Sequence, residues 1–333
     1  MPKIRRPDTA SPARRANRTR ENLTLKVSFI SPLFNCLALT KEMVVSLQKH
    51  LPAGLDHEII LVDDGSTDGT RDWLKTLAAP FRVVLNERNL GYAGANNRGG
   101  SAASGDLLVL LNNDLVLTQD WLDPMIRAYR GLGSRAGVVG NVQRRVADGV
   151  VDHSGVIINL KAKPEHKTAL PPRWMRLLAP TRRVDAVTGA CALVDRALWN
   201  SLGGFDEGYF NGGEDVDFCF RAAGRGKINV VAVRSIIFHH ISASPGRKLR
   251  DEQNSYRLAK KWRDTLEDRA RRSWCWDYLQ QYWTSPHPSA DHASARAALL
   301  YGLHLRRSPP VIAVEGMHEA MAHELARWER LLQ

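Results

Sequence analysis

The sequence lacks the features of a disulfide-rich, zinc-ribbon or membrane-spanning protein. Its 333 residues contain four cysteines, which lie far apart and form no Cys-X-X-Cys pair: Cys36, Cys191, Cys219 and Cys275. This number and spacing of cysteines argues against a zinc ribbon or a disulfide framework and is typical of proteins of the reducing cytosol. No apolar run approaches the roughly 18 residues of a transmembrane helix, and no signal-peptide core follows the N-terminus. We therefore expect a cytoplasmic protein.

Acidic residues are too few to balance the basic ones, and half of the excess lies at the N-terminus. The formal net charge is +12, and residues 1–20 hold seven Lys or Arg and one Asp, a local charge of +6. We interpret residues 1–24 as a disordered basic tail, with attraction to anionic lipid at the inner face of the plasma membrane as the alternative. The remaining sequence lacks the interleaved aromatic and basic residues of single-strand binders, so we predict no nucleic-acid partner.

The hydrophobic content of 44% is sufficient for a sizeable core, and residues 26–131 alternate between two patterns. Apolar, β-rich runs predict strands over 26–35, 57–64, 81–87 and 106–114. Helical spacing predicts helices over 38–51, 70–78, 93–104 and 120–131. This alternation indicates an α/β fold with a doubly wound, mostly parallel sheet.

The pattern is less regular after residue 131. Residues 132–184 are rich in Pro and Arg, which indicates an insertion or a flexible lid. The last 80 residues carry helical patterns and an aromatic cluster of Trp262, Trp274, Trp276 and Trp283, which predicts a helical appendage packed on the sheet domain; a surface for an acceptor or partner is the alternative. We therefore divide the chain into a tail (1–24), a main domain (25–250) and a C-terminal helical extension (251–333).

Polar side chains follow three of the predicted strands at the point where each strand ends. They are Asp63 with Asp64, the segment 89–97, and the segment 112–114. Ligands of open α/β sheets bind outside the carboxyl ends of the strands, so these clusters predict a site at one edge of the sheet. Helix caps and Asx turns account for some of these residues without a ligand. The segment 91–94, Gly-Tyr-Ala-Gly, is not the Gly-X-Gly-X-X-Gly of dinucleotide-binding folds.

Several of these residues suit particular chemistry. Paired carboxylates at a strand end can accept hydrogen bonds from a ribose hydroxyl or a base N–H. Asp114 suits a hard divalent cation whose other ligands include water and a diphosphate. The acids at 214, 215 and 217 lie at a predicted helix start, where the helix dipole alone favours them, yet such a carboxylate can also act as a general base. His239 and His240 follow a predicted strand and are candidate metal ligands.

The ordered series of motifs resembles the family 2 glycosyltransferases, which are inverting enzymes of the GT-A fold. The resemblance runs from about Lys26 to Trp262 and is closest to the branch with rhamnosyl and galactofuranosyl transferases of bacterial surface polysaccharides. Six segments carry it: VDDGSTDGT, ERNLGYAGANNRG, GDLLVLLNNDLVL, VTGACALVDRALWNSLGGFDE, GEDVDFCFR and FHHISASPG.

The resemblance implies a role for each matching residue. Asp215 matches the catalytic base, with Glu214 beside it. The nucleotide-sugar contacts fall on eleven residues: Ser31, Pro32, Asp63, Asp64, Arg88, Asn89, Gly91, Asn96, Asn97, Asn112 and Asn113. Asp206 and Gly189 fall on the acceptor side. Asp114 is the last acid of the metal-binding Asp-X-Asp position, with His239 as the preferred further ligand and His240 as its possible replacement, which implies Mg²⁺ or Mn²⁺ as cofactor.

The implied function is sugar transfer from a nucleotide-diphosphate sugar to a hydroxyl of a glycan, a glycolipid or a protein. One departure is that Asn112 replaces the first acid of Asp-X-Asp, and an amide oxygen is a weaker ligand than a carboxylate. Two rivals stay open. A sugar-nucleotide pyrophosphorylase would need a Gly-rich basic loop after the first strand, which the segment 31–38 lacks. A catalytically weak carbohydrate-binding relative would not need the intact segments 112–114 and 213–215.

Overall fold

The computed structural model describes residues 25–240, 250–284 and 291–333. The predicted basic tail, residues 1–24, lies outside the described residues, as does most of the segment that follows His240. Within the described ranges, no helix combines the length and the apolar character needed to cross a membrane.

The N-terminal part is a β/α unit whose elements match the predicted order. Its elements are β1 (Val27–Leu33), α1 (Leu37–Lys49), β2 (His57–Asp63), α2 (Thr70–Leu74), β3 (Phe81–Leu85), α3 (Gly91–Ala102) and β4 (Leu107–Leu111). β1 pairs in parallel with both β2 and β4, and β2 pairs in parallel with β3. The doubly wound α/β prediction is confirmed for this part of the chain.

The second part extends the same sheet with strands of both directions and adds a separate two-stranded sheet. Its elements are β5 (Leu115–Val116), α4 (Leu122–Leu132), β6 (Ala136–Arg145), β7 (Val151–His153), β8 (Val156–Ile158), β9 (Pro164–His166), α5 (Arg173–Leu178), β10 (Thr181–Arg183), β11 (Cys191–Asp195), α6 (Arg196–Leu202), α7 (Glu214–Gly224) and β12 (Ile228–His239). The sheet order is β10-β12-β6-β11-β4-β1-β2-β3. β11 runs antiparallel to β4 and β6, whereas β12 and β6 are parallel.

The prediction of an insertion or lid over residues 132–184 is wrong for its first part. β6 is a ten-residue strand between β11 and β12, and its first eight residues are buried. Its glycines and polar residues interrupt the apolar pattern, which is why the sequence does not indicate a strand. They are required by close packing, since a Cβ on Gly140 would lie 2.7 Å from the Val187 side chain, and the Asn141 amide lies 3.3 Å from the Cys191 sulfur.

The sheet has a hydrophobic core on each face, which explains the uninterrupted apolar run of β4. Leu108 and Leu110 belong to the core that includes residues of α3, α6 and α7, whereas Val109 and Leu111 belong to the core beneath α1 and α4. A strand covered by helices on both faces needs apolar side chains at every position. The polar residues that follow Leu111 therefore mark the point at which the chain leaves the core.

Among the described residues, three helices follow the sheet domain: α8 (Asp251–Thr284), which kinks at Trp262, α9 (His292–Gly302) and α10 (Val311–Leu331). α8 is fixed to the sheet domain through Asp217, a fully buried residue of α7. The Asp217 carboxylate accepts hydrogen bonds from the Trp262 indole at 2.8 Å and from the Arg221 guanidinium at 2.7 Å, and it also lies 2.7 Å from the Lys261 ammonium. This network places the first turns of α8 beside the carboxyl ends of the strands.

Candidate active site

A cavity of about 690 Å³ lies at the carboxyl ends of β1, β2 and β4, where the sequence predicts a site. Ten of the predicted site residues line it: Pro32, Asp64, Asn89, Gly91, Asn112, Asn113, Asp114, Gly189, Glu214 and Asp215. Carboxylates from three distant chain segments therefore face one space. The remaining walls come from the β8–β9 hairpin, residues 210–213 and the first turns of α8.

Asp64 fixes the start of α3 at the cavity wall. Its Oδ1 accepts hydrogen bonds from the Asn86 amide at 2.8 Å and the Leu90 N–H at 2.9 Å, and its Oδ2 accepts one from the Gly91 N–H at 2.9 Å. Burial raises the pKa of the Asp64 carboxyl above its ordinary value, although these hydrogen bonds oppose the shift. Because each oxygen has more than one lone pair, the carboxylate can bond a ligand as well.

Asp114 and His239 form a buried pair that lacks a hydrogen bond. The Asp114 Oδ1 lies 3.1 Å from the His239 Nε2, but neither atom has a hydrogen-bond partner among the described residues. Only 7% of Asp114 and 4% of His239 is exposed, so both atoms are largely shielded from water. Such unsatisfied buried atoms are costly, whereas a carboxylate and an imidazole converging on one point suit a divalent cation.

The amides beside Asp114 have different partners. The Asn113 side chain donates to the Thr40 hydroxyl at 3.0 Å, which fixes this loop against α1. The Asn112 Oδ1 is buried and has no hydrogen-bond partner within the described ranges, and the residue lines the cavity. No third His, Cys, Asp or Glu side chain joins Asp114 and His239 within the part of the chain that the structure describes. The donor set therefore fits a cation that receives further oxygen ligands from its substrate.

Asp215 lies at the start of α7 on the far wall of the cavity. Its Oδ2 accepts a hydrogen bond from the Gly189 N–H at 2.9 Å, and its Oδ1 accepts one from the Val216 N–H at 2.8 Å. The Tyr92 hydroxyl donates to the Gly189 carbonyl at 2.7 Å, so the residue whose N–H holds Asp215 is itself held through the next peptide. Burial, and then the nearby Glu214 and Asp215, raise the pKa of Tyr92 well above its usual value, which keeps this donor protonated.

The loop before α7 is fixed by the predicted residue Glu214 and by two residues that the sequence analysis missed, Asn211 and Asn254. The Asn254 side chain of α8 accepts from the Phe210 N–H at 3.1 Å and donates to the Phe210 carbonyl at 2.8 Å. The Asn211 side chain accepts from the Tyr92 N–H at 2.9 Å. Glu214 accepts from the Gly212 N–H at 2.7 Å. A sequence signal for α8 does exist, because residues 251, 254 and 255 are polar and share one helical face that lines the cavity.

The other predicted site residues do not line the cavity: Ser31, Asp63, Arg88, Asn96, Asn97, Asp206, His239 and His240. Asp63 is fully buried and accepts from the Arg71 guanidinium at 2.5 Å and from the Ser66 N–H at 3.2 Å. Asn97 donates to the Phe205 carbonyl and accepts from the Phe205 N–H. These contacts give both residues a structural role, so their predicted contact with a nucleotide sugar has no support in this geometry.

Five further predicted residues lie outside the cavity lining, and their burial and contacts differ: Ser31, Arg88, Asn96, His239 and His240. The Ser31 hydroxyl is buried next to Pro32, and Asn96 is buried inside α3, where it donates to the Tyr92 carbonyl at 2.9 Å. Arg88 is exposed beside Asn89. His239 lies behind the cavity wall against Asp114, and the His240 Nε2 lies 3.4 Å from a Glu42 carboxylate oxygen. The geometry thus favours His239 over His240 as the partner of Asp114.

Asp206 lies outside the cavity and forms ion pairs with α8. Its carboxylate lies 3.0 Å from the Arg257 guanidinium and 3.0 Å from the Lys261 ammonium. Partial burial alone would raise its pKa, but hydrogen bonds from Lys261, Gly208 and Arg257 lower the pKa of Asp206 to about 2. We therefore assign Asp206 to the contact between the sheet domain and α8, in place of the predicted contact with the acceptor.

This assignment predicts a pH-dependent contribution to stability. Because the folded pKa is lower than that of an unfolded Asp, the stabilisation is complete above about pH 4 and is lost as the pH falls towards 2. Asp206→Asn should therefore lower the urea midpoint at pH 7 and reduce the slope of stability against pH between 4 and 2. Asp123→Asn, at an exposed ion pair of α4, is the matched control and should keep the wild-type slope. An unchanged slope in Asp206→Asn would contradict the assignment.

Comparison with known proteins identifies the family. The model of the Glycosyl transferase family 2 matches residues 28–199, which is more than half of the chain. The chain belongs to glycosyltransferase family 2. The matched range contains the residues of this family member from β1 to α6, including Asp64 and Asp114, and ends before Asp215.

Relatives of this family 2 member include one named for O-antigen biosynthesis and one named as a rhamnosyltransferase. The uncharacterized protein y4gI of Sinorhizobium fredii is 29% identical over 80% of this chain and 28% of its own length. The O-antigen biosynthesis protein RfbC of Myxococcus xanthus is 32% identical over 66% of this chain and 18% of its own length. The N-acetylglucosaminyl-diphospho-decaprenol L-rhamnosyltransferase of Mycobacterium tuberculosis is 30% identical over 57% of this chain and 68% of its own length. The chain thus spans less than a third of the length of the first two.

Two solved structures share the fold. GalNAc-T7, crystallised with UDP, GalNAc and Mn²⁺, superposes with a TM-score of 0.60 over 92% of this chain and 58% of its own. The mannosyltransferase PcManGT of Pyrobaculum calidifontis, in complex with GDP-Man and Mn²⁺, superposes with a TM-score of 0.52 over 94% of this chain and 92% of its own. Both are 19% identical to this chain. The predicted GT-A fold, with C-terminal helices added to it, is confirmed.

Proposed function

We propose that this family 2 protein is an inverting glycosyltransferase that moves a sugar from a nucleotide-diphosphate sugar to an acceptor hydroxyl. The observation that carries the proposal is the convergence of Asp64, Asp114 and Asp215 on one cavity, with an unsatisfied Asp114–His239 pair at its wall. Family membership supports the reaction class.

The donor binds along the carboxyl ends of the strands. Asp64 and Asn89, which line the cavity beside β2 and the start of α3, would contact the nucleoside. Asp114 and His239 would hold Mg²⁺ or Mn²⁺, with Asn112 as a further oxygen donor. A bound divalent cation at this position stabilises the negative charge that develops on the leaving diphosphate. The Mn²⁺ in both structural neighbours supports a divalent cation in this role.

Asp215 acts as the general base for the acceptor. Its carboxylate takes the proton of the acceptor hydroxyl while the hydroxyl oxygen attacks the anomeric carbon from the face opposite the diphosphate. The new carbon–oxygen bond forms as the bond to the diphosphate breaks, and the nucleoside diphosphate leaves. One displacement inverts the anomeric configuration and needs a single base, which fits a site where one carboxylate is fixed by Gly189 and Val216.

We further propose a role in bacterial surface polysaccharide synthesis, with dTDP-rhamnose or a UDP-sugar as donor and a glycan or glycolipid as acceptor. The names of two relatives, one in O-antigen biosynthesis and one a rhamnosyltransferase that acts on a decaprenol-linked sugar, support this choice. A glycolipid acceptor would place the protein at the inner face of the plasma membrane.

A donor panel tests the proposed function. The protein is incubated with dTDP-rhamnose, UDP-galactofuranose, UDP-N-acetylglucosamine and GDP-mannose, each with a lipid-diphosphate-linked sugar acceptor and with Mn²⁺ or EDTA. We expect acceptor-dependent release of one nucleoside diphosphate and a glycan product of inverted configuration. A carbohydrate-binding relative would bind a donor without release, and a pyrophosphorylase would form a nucleoside triphosphate from added pyrophosphate. Either result would overturn the proposal.

Tyr92 should act as a positioning residue for Asp215. Tyr92→Phe removes the hydrogen bond to the Gly189 carbonyl, so Gly189, whose N–H holds Asp215, becomes less fixed. We expect kcat to fall about tenfold with KM for the donor nearly constant, and the free energy of unfolding to fall by about 1 kcal/mol. Tyr129→Phe, which removes a hydroxyl bonded to Asp195 away from the cavity, is the control and should lower stability without lowering kcat. Equal kcat values in both variants would contradict the role.

A further inference from the structure

A short helix at the edge of the sheet exposes an unusual density of large apolar side chains. α5 presents Trp174, Met175, Leu177 and Leu178 with 60%, 39%, 66% and 78% of each residue exposed. We call these four residues the α5 face. Scattered exposed apolar residues are normal, but four within five positions form a contiguous patch of the kind that contacts a partner or a membrane.

The α5 face borders a strongly cationic groove. A cavity of about 510 Å³ is lined by Arg144, Arg176, Leu177, Val233, Arg234 and Ile236, a set with three arginines and no acid. No ion pair within the described residues involves any of these three arginines. The Arg176 Nε is buried without a hydrogen-bond partner in the described ranges. The surrounding chain adds to the positive charge, because residues 166–184 contain four further Lys or Arg besides Arg176 and no acid.

We propose that the α5 face and this groove together form a docking surface for an anionic phospholipid bilayer. The apolar side chains would enter the boundary between headgroups and acyl chains, with Trp174 suited to that depth, while the three arginines contact lipid phosphates. Charge complementarity favours this occupant over a neutral protein surface. The exposed aliphatic side chains favour it over a nucleic acid, whose phosphates would bind the arginines without covering Leu177 and Leu178.

The position of this surface relates it to the active site. Arg144 pairs in register with Phe238, the residue that precedes His239, and Ile236 lies three positions before His239 on β12. β12 therefore carries both the groove residues Val233, Arg234 and Ile236 and, at its end, His239 of the Asp114–His239 pair. Docking would hold this edge of the GT-A domain at the bilayer. The inference rests on this surface alone and does not depend on the proposed catalytic activity.

Vesicle flotation of the full chain tests the inference. The vesicles contain phosphatidylcholine alone or with 30% phosphatidylglycerol. The variants are Arg176→Ser with Arg234→Ser for the charge, and Trp174→Ser with Leu178→Ser for the apolar contact. The matched controls are Arg98→Ser with Arg307→Ser and Trp283→Ser with Leu305→Ser, which change exposed residues of the same types elsewhere. Each protein keeps its N-terminal tail, so the contribution of the tail is constant.

We expect the wild type and both controls to float with the anionic vesicles. The arginine variant should partition about 30-fold less, since two arginines near the surface contribute about 1 kcal/mol each. The Trp174/Leu178 variant should lose binding that persists at 0.5 M NaCl in the wild type. Since all four changed residues are at least partly exposed, the thermal midpoints of both variants should match that of the wild type. If the apolar variant unfolds, the arginine variant still tests the inference.

Other outcomes would overturn the inference. Wild-type flotation in both surface variants would assign lipid binding to another part of the chain. A concentration-dependent dimer that either variant abolishes would identify a second copy as the occupant. Stabilisation by inorganic phosphate at millimolar concentration, without flotation, would identify an anion site and not a bilayer surface. Tighter binding to single-stranded RNA than to anionic vesicles, lost in the arginine variant, would identify a nucleic acid.

Discussion

Replacing Asp215 by Asn is expected to lower kcat for sugar transfer about 10³-fold while donor binding stays within about twofold of the wild type. The amide cannot take the proton of the acceptor hydroxyl, and general-base catalysis contributes about 10²- to 10⁴-fold. Binding should persist because the Asn oxygen can still accept the Gly189 N–H hydrogen bond that holds the side chain. Kinetics of nucleoside-diphosphate release and calorimetric titration with the donor check the two halves of this prediction.

The control separates chemistry from structure. Asp123→Asn changes an exposed carboxylate of α4 in the same way and should keep the wild-type kcat. Thermal melts of both variants should remain within a few degrees of the wild type, because Asp215 is only partly buried. A kcat in Asp215→Asn that approaches the wild-type value would exclude Asp215 as the base. A loss of donor binding without a loss of kcat would make it a binding residue.

Replacing Asp114 by Ala is expected to weaken binding of the nucleoside diphosphate at least ~10-fold in Mn²⁺, and by much less in EDTA. Removing even an outer-shell partner of a metal typically costs 10- to 100-fold in affinity, so loss of a direct carboxylate ligand should cost at least as much. His239→Ala should give a similar loss. The double variant should lose little more than either single variant, because both changes remove the same bound cation. Calorimetry with and without Mn²⁺ measures all four proteins.

A simple ion pair between Asp114 and His239 makes a different prediction. In that case both substitutions would lower the thermal midpoint equally in Mn²⁺ and in EDTA, and the affinity for the nucleotide would not depend on Mn²⁺. Asn112→Ala is the graded control, since an amide oxygen is a weaker ligand and its loss should have a smaller effect. Equal ratios of variant to wild-type affinity in Mn²⁺ and EDTA would contradict the metal assignment.

The sequence predicts those parts of this protein that depend on local pattern. The uninterrupted apolar run of β4 indicates a strand buried on both faces, and the polar residues 112–114 mark its carboxyl end. The same reasoning applies to Asp64 after β2. Because parallel strands end at one edge, local predictions for separate strands combine into a shared cavity. The order of motifs extends this to Asp215, which lies more than a hundred residues away.

What the sequence does not reveal depends on contacts between distant segments. The sequence pattern does not indicate β6, because Gly140 and Asn141 interrupt its apolar run. These two residues pack against Val187 and Cys191, which come from a distant segment. Asp206 is a carboxylate that could contact an acceptor, but it forms ion pairs with Arg257 and Lys261 of α8. Asn254 contributes through its bonds to Phe210, 44 residues away. Each partner is set by tertiary structure, which local spacing does not encode.

Anomalous scattering from Mn²⁺ in a crystal grown with a nucleoside diphosphate tests the central claim most directly. The nucleotide is UDP, dTDP or GDP, whichever raises the thermal midpoint most in the presence of Mn²⁺. The account predicts one strong peak beside the Asp114 carboxylate and the His239 imidazole, with the diphosphate bound to the metal and the nucleoside near Asp64. A nucleotide bound away from this cavity, or Mn²⁺ held by other side chains, would contradict it.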